Sequence, residues 1–133
     1  MNASSRAVLD LEWLLNYEMR ASARYRRCVS LALLTSPEAD VERIGQALAG
    51  VRRECDKSFY LNGVAAVVMG ETAGDGAARA VARYQAAVEG CLDLRFGLAT
   101  YPGDGNAAAE LIEAARRRLE AAKGLYAGAV VAQ

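Results

Sequence analysis

Few side chains in this sequence could exchange protons, attack a substrate or hold a metal, and fewer still occur in company. The 133 residues include no histidine, which removes the commonest general base and the usual activator of a serine or cysteine nucleophile. Ser-His and Cys-His designs are thereby excluded. The three cysteines, Cys28, Cys55 and Cys91, are odd in number and widely spaced. Without histidine, a zinc site would need three thiolates plus a carboxylate or water, so they read as reduced, mostly buried thiols. No metal site and no cofactor is assigned. Asp104 and Asn106, in Pro102-Gly-Asp-Gly-Asn106, lack the alternating acids and terminal glutamate of a calcium loop. They read as a turn followed by a helix cap. Arg53-Glu54-Cys55-Asp56 reads as a helix end, with Arg52 and Arg53 at the negative pole and Asp56 in a turn.

Bulk composition excludes further classes. Hydrophobic residues make up 53% of the chain, enough for an ordinary core, and the length fits one domain over residues 1–133. Sixteen basic residues balance 16 acidic ones, so no long-range field draws nucleic acid or anionic lipid. No apolar run approaches the ~20 residues that span a bilayer. The polar start, Met1 to Arg6, has no signal-peptide core. Together with the reduced thiols, this reads as a cytoplasmic protein with no nucleic-acid or membrane partner.

The elements that must position any site follow from periodicity. Residues 1–7 read as a disordered tail and 8–27 as a helix, with Val8, Leu11, Leu14 or Leu15, and Met19 at helical spacing. Trp13 and Tyr17 lie one turn apart on it, packed inside or against a second subunit. Cys28 to Thr35 is a continuous apolar run ending at Ser36-Pro37, hence a buried strand. Ser36 and Pro37 suit the cap and first residue of a helix running to about Cys55. Phe59 to Thr72 holds two apolar runs around Asn62-Gly63. This dipeptide signals a two-residue hairpin turn with both central residues at positive φ. A third helix spans Ala77 to Glu89, with Gly90 past its end. Cys91 to Thr100 alternates as a strand with one buried face. A fourth helix, Ala107 to Lys123, carries Arg116-Arg117-Arg118 on its wet side, and Leu125 to Ala132 is a last strand. The predicted class is α+β: a ferredoxin-like βαββαβ core with one antiparallel-rich sheet, an N-terminal helix and a C-terminal αβ unit.

This order, with several local strings, resembles the GGDEF domain of diguanylate cyclases, a nucleotide cyclase palm-like fold. The strings are Leu14-Leu15-Asn16-Tyr17-Glu18-Met19-Arg20 with Arg24-Tyr25 and Val29 to Leu34, then Phe96-Gly97-Leu98-Ala99-Thr100-Tyr101-Pro102, then Leu111 to Ala115 with Leu119 and Ala122-Lys123. The resemblance covers the chain from about Leu9 to its end.

Laying Ala65 to Thr72 on the family's strand after the hairpin puts the eponymous five residues at Leu61, Asn62, Gly63, Val64 and Ala65. Only a glycine survives, and the acidic positions are Gly63 and Val64. The family's acids bind Mg²⁺ and help activate the attacking hydroxyl; Gly63 and Val64 can do neither. The metal-binding aspartate that ends the family's first strand corresponds to Thr35, and the segment that shapes the guanine pocket is missing. Glu38 and Asp40 remain nearby, at a helix start where acids suit the dipole. Lys123 is kept, but the phosphate-reaching residues after it are replaced by Gly124-Leu125-Tyr126. The resemblance thus implies a degenerate domain without cyclase activity.

The expected function is a regulatory or scaffolding protein-interaction module in bacterial cyclic di-GMP signalling, its protein partner unidentified and a homodimer through Trp13 and Tyr17 included. The alternative is a cyclic di-GMP receptor, because Arg53-x-x-Asp56 matches in type the family's inhibitory Arg-x-x-Asp site. An enzyme of unrelated chemistry on the same sheet ranks last, for want of histidine or a convergent acid cluster.

Overall fold

Strand β1, Val29–Thr35, organises the molecule. Its residues are apolar on both sides, so it can be buried only between two layers. The computed structural model, which describes residues 3–51 and 56–133, puts it at the centre of a five-stranded sheet of order β2-β3-β1-β4-β5. The other strands are β2 Lys57–Tyr60, β3 Ala65–Met69, β4 Arg95–Tyr101 and β5 Val130–Val131. β1 pairs antiparallel with β3 and β4, and β2 with β3. β5 lies parallel to β4, a pairing that needs a crossover element. Helices α1 Ala3–Arg24, α2 Val41–Leu48, α3 Gly74–Val88 and α4 Ala108–Lys123 complete the order. The expected α+β class and ferredoxin-like core are found.

Residue parity along the strands assigns the two cores, because successive side chains point to opposite faces. Ala32, Leu34, Phe96 and Leu98 face α2 and α3, where Ile44, Leu48, Ala80, Val81 and Tyr84 meet them. Val29, Leu31, Leu33 and Ala99 face α1 and α4, against Leu11, Leu15, Leu111, Ala115 and Leu119. Each fully buried large side chain contributes roughly 1.5–3 kcal/mol relative to exposure.

Several boundaries differ from the sequence reading. α1 starts at Ala3, inside the stretch read as a tail, and ends at Arg24. α2 starts at Val41: Asp40 is its cap, accepting the Arg43 N–H at 3.0 Å, while the Ser36 hydroxyl accepts the Glu38 N–H at 3.1 Å. A carboxylate three residues before an amide reaches it better than a hydroxyl farther back. β4 is buried on both faces apart from its ends, because α4 covers the second face. A Cβ on Gly97 would lie 2.2 Å from the Ala115 carbonyl oxygen and 2.4 Å from the Leu119 nitrogen, so the glycine lets helix and strand meet. Asn106 does not cap α4. The N-cap position is Ala107; the Ala108 N–H reaches Asn16 Oδ1 on α1 at 3.3 Å, and the Asn106 N–H reaches back to Glu110. Nor is Arg118 on the wet side: its guanidinium binds Asp104 at 2.9 Å and the Leu98 carbonyl at 2.8 Å. The last strand shrinks to Val130–Val131.

Candidate functional site

The place to look for a site is where the first strand ends beside the hairpin. β2 and β3 are in register up to Tyr60–Ala65, and the Leu61 N–H donates to the Val64 carbonyl at 2.8 Å. Asn62 and Gly63 are therefore the two turn residues. Only Gly63, at φ +76°, takes positive φ. That matches a type II turn, which needs it at the second central position, and corrects the expectation that both residues would take it. Leu61 and Val64 are half-buried against the α1/α4 core. Ala65 is buried and pairs with Leu34.

Thr35 ends β1 and faces this tip. Its hydroxyl donates to the Gly63 carbonyl oxygen at 2.8 Å. Two of the positions singled out by the sequence comparison are thus brought together, and what joins them is a neutral hydrogen bond. Asn62 and Gly63 are exposed.

On the other side of Thr35 lies a shallow cleft of about 340 Å³, lined by Thr35, Ser36, Pro37, Arg95 and Lys123. Its cationic groups are engaged in holding the fold. Arg95 binds the Asp93 carboxylate in a bidentate fork, with Nε 2.9 Å from Oδ1 and Nη2 2.8 Å from Oδ2. Its Nη1 donates to the carbonyl oxygens of Ala122 and Lys123 at 3.0 and 3.1 Å, closing the negative end of α4. The Gly128 N–H donates to Asp93 at 2.9 Å. Hydrogen bonding from Arg95 holds the Asp93 carboxyl below its ordinary range against the opposing effect of desolvation, and Asp93 in turn raises Arg95. Lys123 pairs with Glu120 at 2.8 Å. Glu38 accepts the Asp93 N–H at 3.2 Å and Asp40 caps α2, so both acids near the strand end have structural partners. Among the described residues no group of three His, Cys, Asp or Glu side chains could hold a metal.

The reading of Asp93 and Arg95 as the polar side of an alternating strand missed their partnership. Its signal was the acid and arginine two residues apart, which the structure places at the entry to β4, a strand that begins at Arg95. Arg118 and Asp104 form a second anchor through one bond, from Nη2 to Oδ1, while Nη1 holds the Leu98 carbonyl. The Arg118 hydrogen bond lowers the Asp104 carboxyl despite desolvation, with the Thr100 N–H adding to it.

Of the Arg-x-x-Asp motif, Arg53 lies outside the described residues. Asp56 is fully buried, next to the start of β2. Trp13 and Tyr17 are not core residues. Their rings are near-parallel, 12° apart in plane, with centroids 5.6 Å apart, and the residues are 64% and 52% exposed.

No family model and no curated protein sequence matches the chain. Solved structures do. The GGDEF domain of PA1120 (YfiN or TpbB) from Pseudomonas aeruginosa superposes with a TM-score of 0.84 at 20% identity, covering 91% of this chain and 91% of that one. The active GGEEF domain of a Vibrio cholerae diguanylate cyclase gives 0.78 at 12% identity, covering 92% and 94%. The P. aeruginosa diguanylate cyclase SiaD, solved in complex with its activator SiaC, gives 0.78 at 15% identity, covering 92% of this chain and 56% of that one. The chain has the fold of GGDEF domains.

Proposed function

We propose that this chain with the GGDEF fold is a non-catalytic regulatory or scaffolding module that works by protein contact in cyclic di-GMP signalling. The observation that carries the reading is the hydrogen bond from Thr35 to the Gly63 carbonyl. In the family resemblance, one of these positions holds a metal-binding aspartate and the other an acid. Mg²⁺ requires anionic oxygen ligands in near-octahedral geometry, and here a hydroxyl and a glycine carbonyl bind each other. Val64, at the second acidic position, is half-buried against the core. A related fold solved with a protein activator, that of SiaD, is a precedent for regulation by protein contact. The protein incubated with GTP and Mg²⁺ should form no cyclic dinucleotide; turnover above a no-protein blank overturns the reading.

Self-association through Trp13 and Tyr17 of α1 is the contact placed first. Two stacked aromatic rings, both more than half exposed, have the chemistry of interface anchors.

The second reading is a cyclic di-GMP receptor at Arg53 and Asp56. The position of Asp56, immediately before β2, favours it. The full burial of Asp56 ranks it below the first, since an aspartate with no exposed surface must move to meet a guanine edge. Calorimetry with the dinucleotide decides: binding that disappears in Arg53→Ala supports it, and no heat at high micromolar ligand removes it.

A further inference from the structure

Strand β2 is an outer strand of the sheet. It pairs with β3, and among the described residues no strand lies on its other side. The register tells which of its backbone groups are free. The Leu61 N–H donates to the Val64 carbonyl, so these two residues form a hydrogen-bonded pair, and such pairs alternate along an antiparallel ladder. Lys57 and Phe59 therefore turn their N–H and C=O groups toward β3, while Ser58 and Tyr60 turn theirs outward. Each face of this open edge carries a cleft. Phe59, opposite Ala66, points to the α1 side; Ser58 and Tyr60, opposite Val67 and Ala65, point to the α2 side. On the α1 side a cleft of about 460 Å³ has Trp13, Leu14 and Phe59 as apolar walls, with one acid, Asp10, and one base, Lys57. On the α2 side a cleft of about 690 Å³ is lined by Val41, Ala49 and Tyr60, with Asp40 and Glu42 and no basic residue among the described ones. The Tyr60 ring lies across Gly45, where a Cβ would stand 2.6 Å from Oη, and the residue is 48% exposed. Asp40 is engaged in capping α2. Glu42 is exposed and has no ion-pair partner among the described residues.

We propose that β2 is a docking edge for an extended segment of a partner protein, which adds to the sheet as a further strand with basic residues facing α2 and apolar residues facing α1. The outward N–H and C=O groups of Ser58 and Tyr60 supply the main-chain bonds, and the two clefts select the alternate side chains. A lysine or arginine entering the α2 cleft lays its stem on Val41 and Ala49, meets the exposed Tyr60 ring and brings its charge to Glu42. The α1 cleft holds one charge of each sign, so its walls of Trp13, Leu14 and Phe59 favour an apolar side chain. Successive residues of a strand point to opposite faces; the segment therefore alternates apolar and basic. A second copy of β2 does not match. Paired antiparallel about a two-fold axis, it would carry its one basic residue, Lys57, on the α1 face with Phe59 and offer Glu42 no cation. This proposal rests on the protein-contact reading above and names the surface and the partner's chemistry.

The test is titration of the full chain, at a fixed low concentration, with a capped synthetic octapeptide that alternates valine and arginine. Binding should blue-shift the fluorescence of Trp13, the only tryptophan, slow amide exchange at Ser58 and Tyr60, and weaken with salt. Ser58→Pro removes an outward N–H, at a kind of position where an edge strand accepts proline, and should weaken binding about fivefold or more. Glu42→Arg should weaken it about fivefold and reverse the preference, so that a valine–glutamate octapeptide binds this variant better than it binds wild type. Peptides N-methylated on the arginines or on the valines test the main-chain bonds from the other side. Only one set of amides can face β2, so one of the two should bind like the parent and the other should fail. That arm uses the wild-type protein and keeps the test decisive where Ser58→Pro does not fold. No binding at high micromolar peptide, binding of both N-methylated peptides, or equal binding of the valine–glutamate peptide to wild type overturns the proposal. So does a peptide-free dimer that Ser58→Pro abolishes, which would give the edge to a second copy. Each of these results leaves the non-catalytic reading standing, whereas GTP turnover would sink that reading whether or not the peptide binds.

Discussion

The Thr35 hydroxyl stands 2.8 Å from the Gly63 carbonyl oxygen and donates to it. One bond ties the end of the central strand to the tip of the hairpin. Thr35→Val keeps the shape and removes the donor. Such a solvent-exposed neutral bond is worth about 0.5 kcal/mol, so the unfolding free energy from urea titration should fall by about that amount, with faster amide exchange confined to residues 61–65. Thr35→Ser should retain the wild-type midpoint.

Gly97 is the tightest backbone contact between β4 and α4. A methyl there meets backbone atoms at 2.2 and 2.4 Å, which no rotamer change relieves. Gly97→Ala should cost about 3 kcal/mol or leave the protein insoluble. Gly50, where an added Cβ would have nothing within 4 Å, is the control: Gly50→Ala should change stability by less than about 0.5 kcal/mol. Thermal unfolding of the two variants checks both.

Asp93 and Asp104 give stability a dependence on acid. Both carboxyls titrate in the folded protein below their ordinary value of 3.8, held down chiefly by hydrogen bonds from Arg95 and Arg118. The unfolded chain therefore takes up protons first as pH falls. The stabilisation is fully present above the unfolded value and is lost as pH drops through the lowered folded values. Urea midpoints should be flat near neutrality and fall below about pH 4. In Asp93→Asn and Asp104→Asn the neutral midpoint should be lower and the acid slope shallower. A slope equal to wild type in both variants would refute the assignment.

Arg95 closes the C-terminus of α4 and, through Asp93, holds the Gly128 loop. Arg95→Met removes both the cation beside Asp93 and the closure of the α4 C-terminus, and the protein should unfold at a lower urea concentration than wild type. Hydrogen exchange should rise first at residues 122–131, because β5 has only two residues to hold the segment.

The element order was legible in the sequence because each element has its own period: unbroken apolar runs for β1 and β3, helical spacing for α1 and α4, Asn62-Gly63 between strands. The blankness of the hairpin tip was equally legible, since no fold supplies a carboxylate that the residues lack. Helix ends were less so. Whether Ser36 or Asp40 caps α2, and whether Asn106 or Asn16 serves α4, depends on which side chain the tertiary structure brings to a free amide. Local sequence does not record that.

Partnerships across the fold were decided only in three dimensions. Arg118 shares its sequence run with Arg116 and Arg117, yet it alone turns inward to Asp104, because its position on α4 faces the turn after β4. Trp13 and Tyr17 have the composition of core residues, and the sequence leaves their side open. The packing of Leu11, Leu15 and Met19 against the sheet uses the one face that α1 can bury and leaves the aromatic pair in water. Sequence determines the kinds of group present and the period in which they come. Long-range packing decides which of them meet, because the sheet brings together residues as far apart as Asn16 and Ala108 only after the chain has closed on itself.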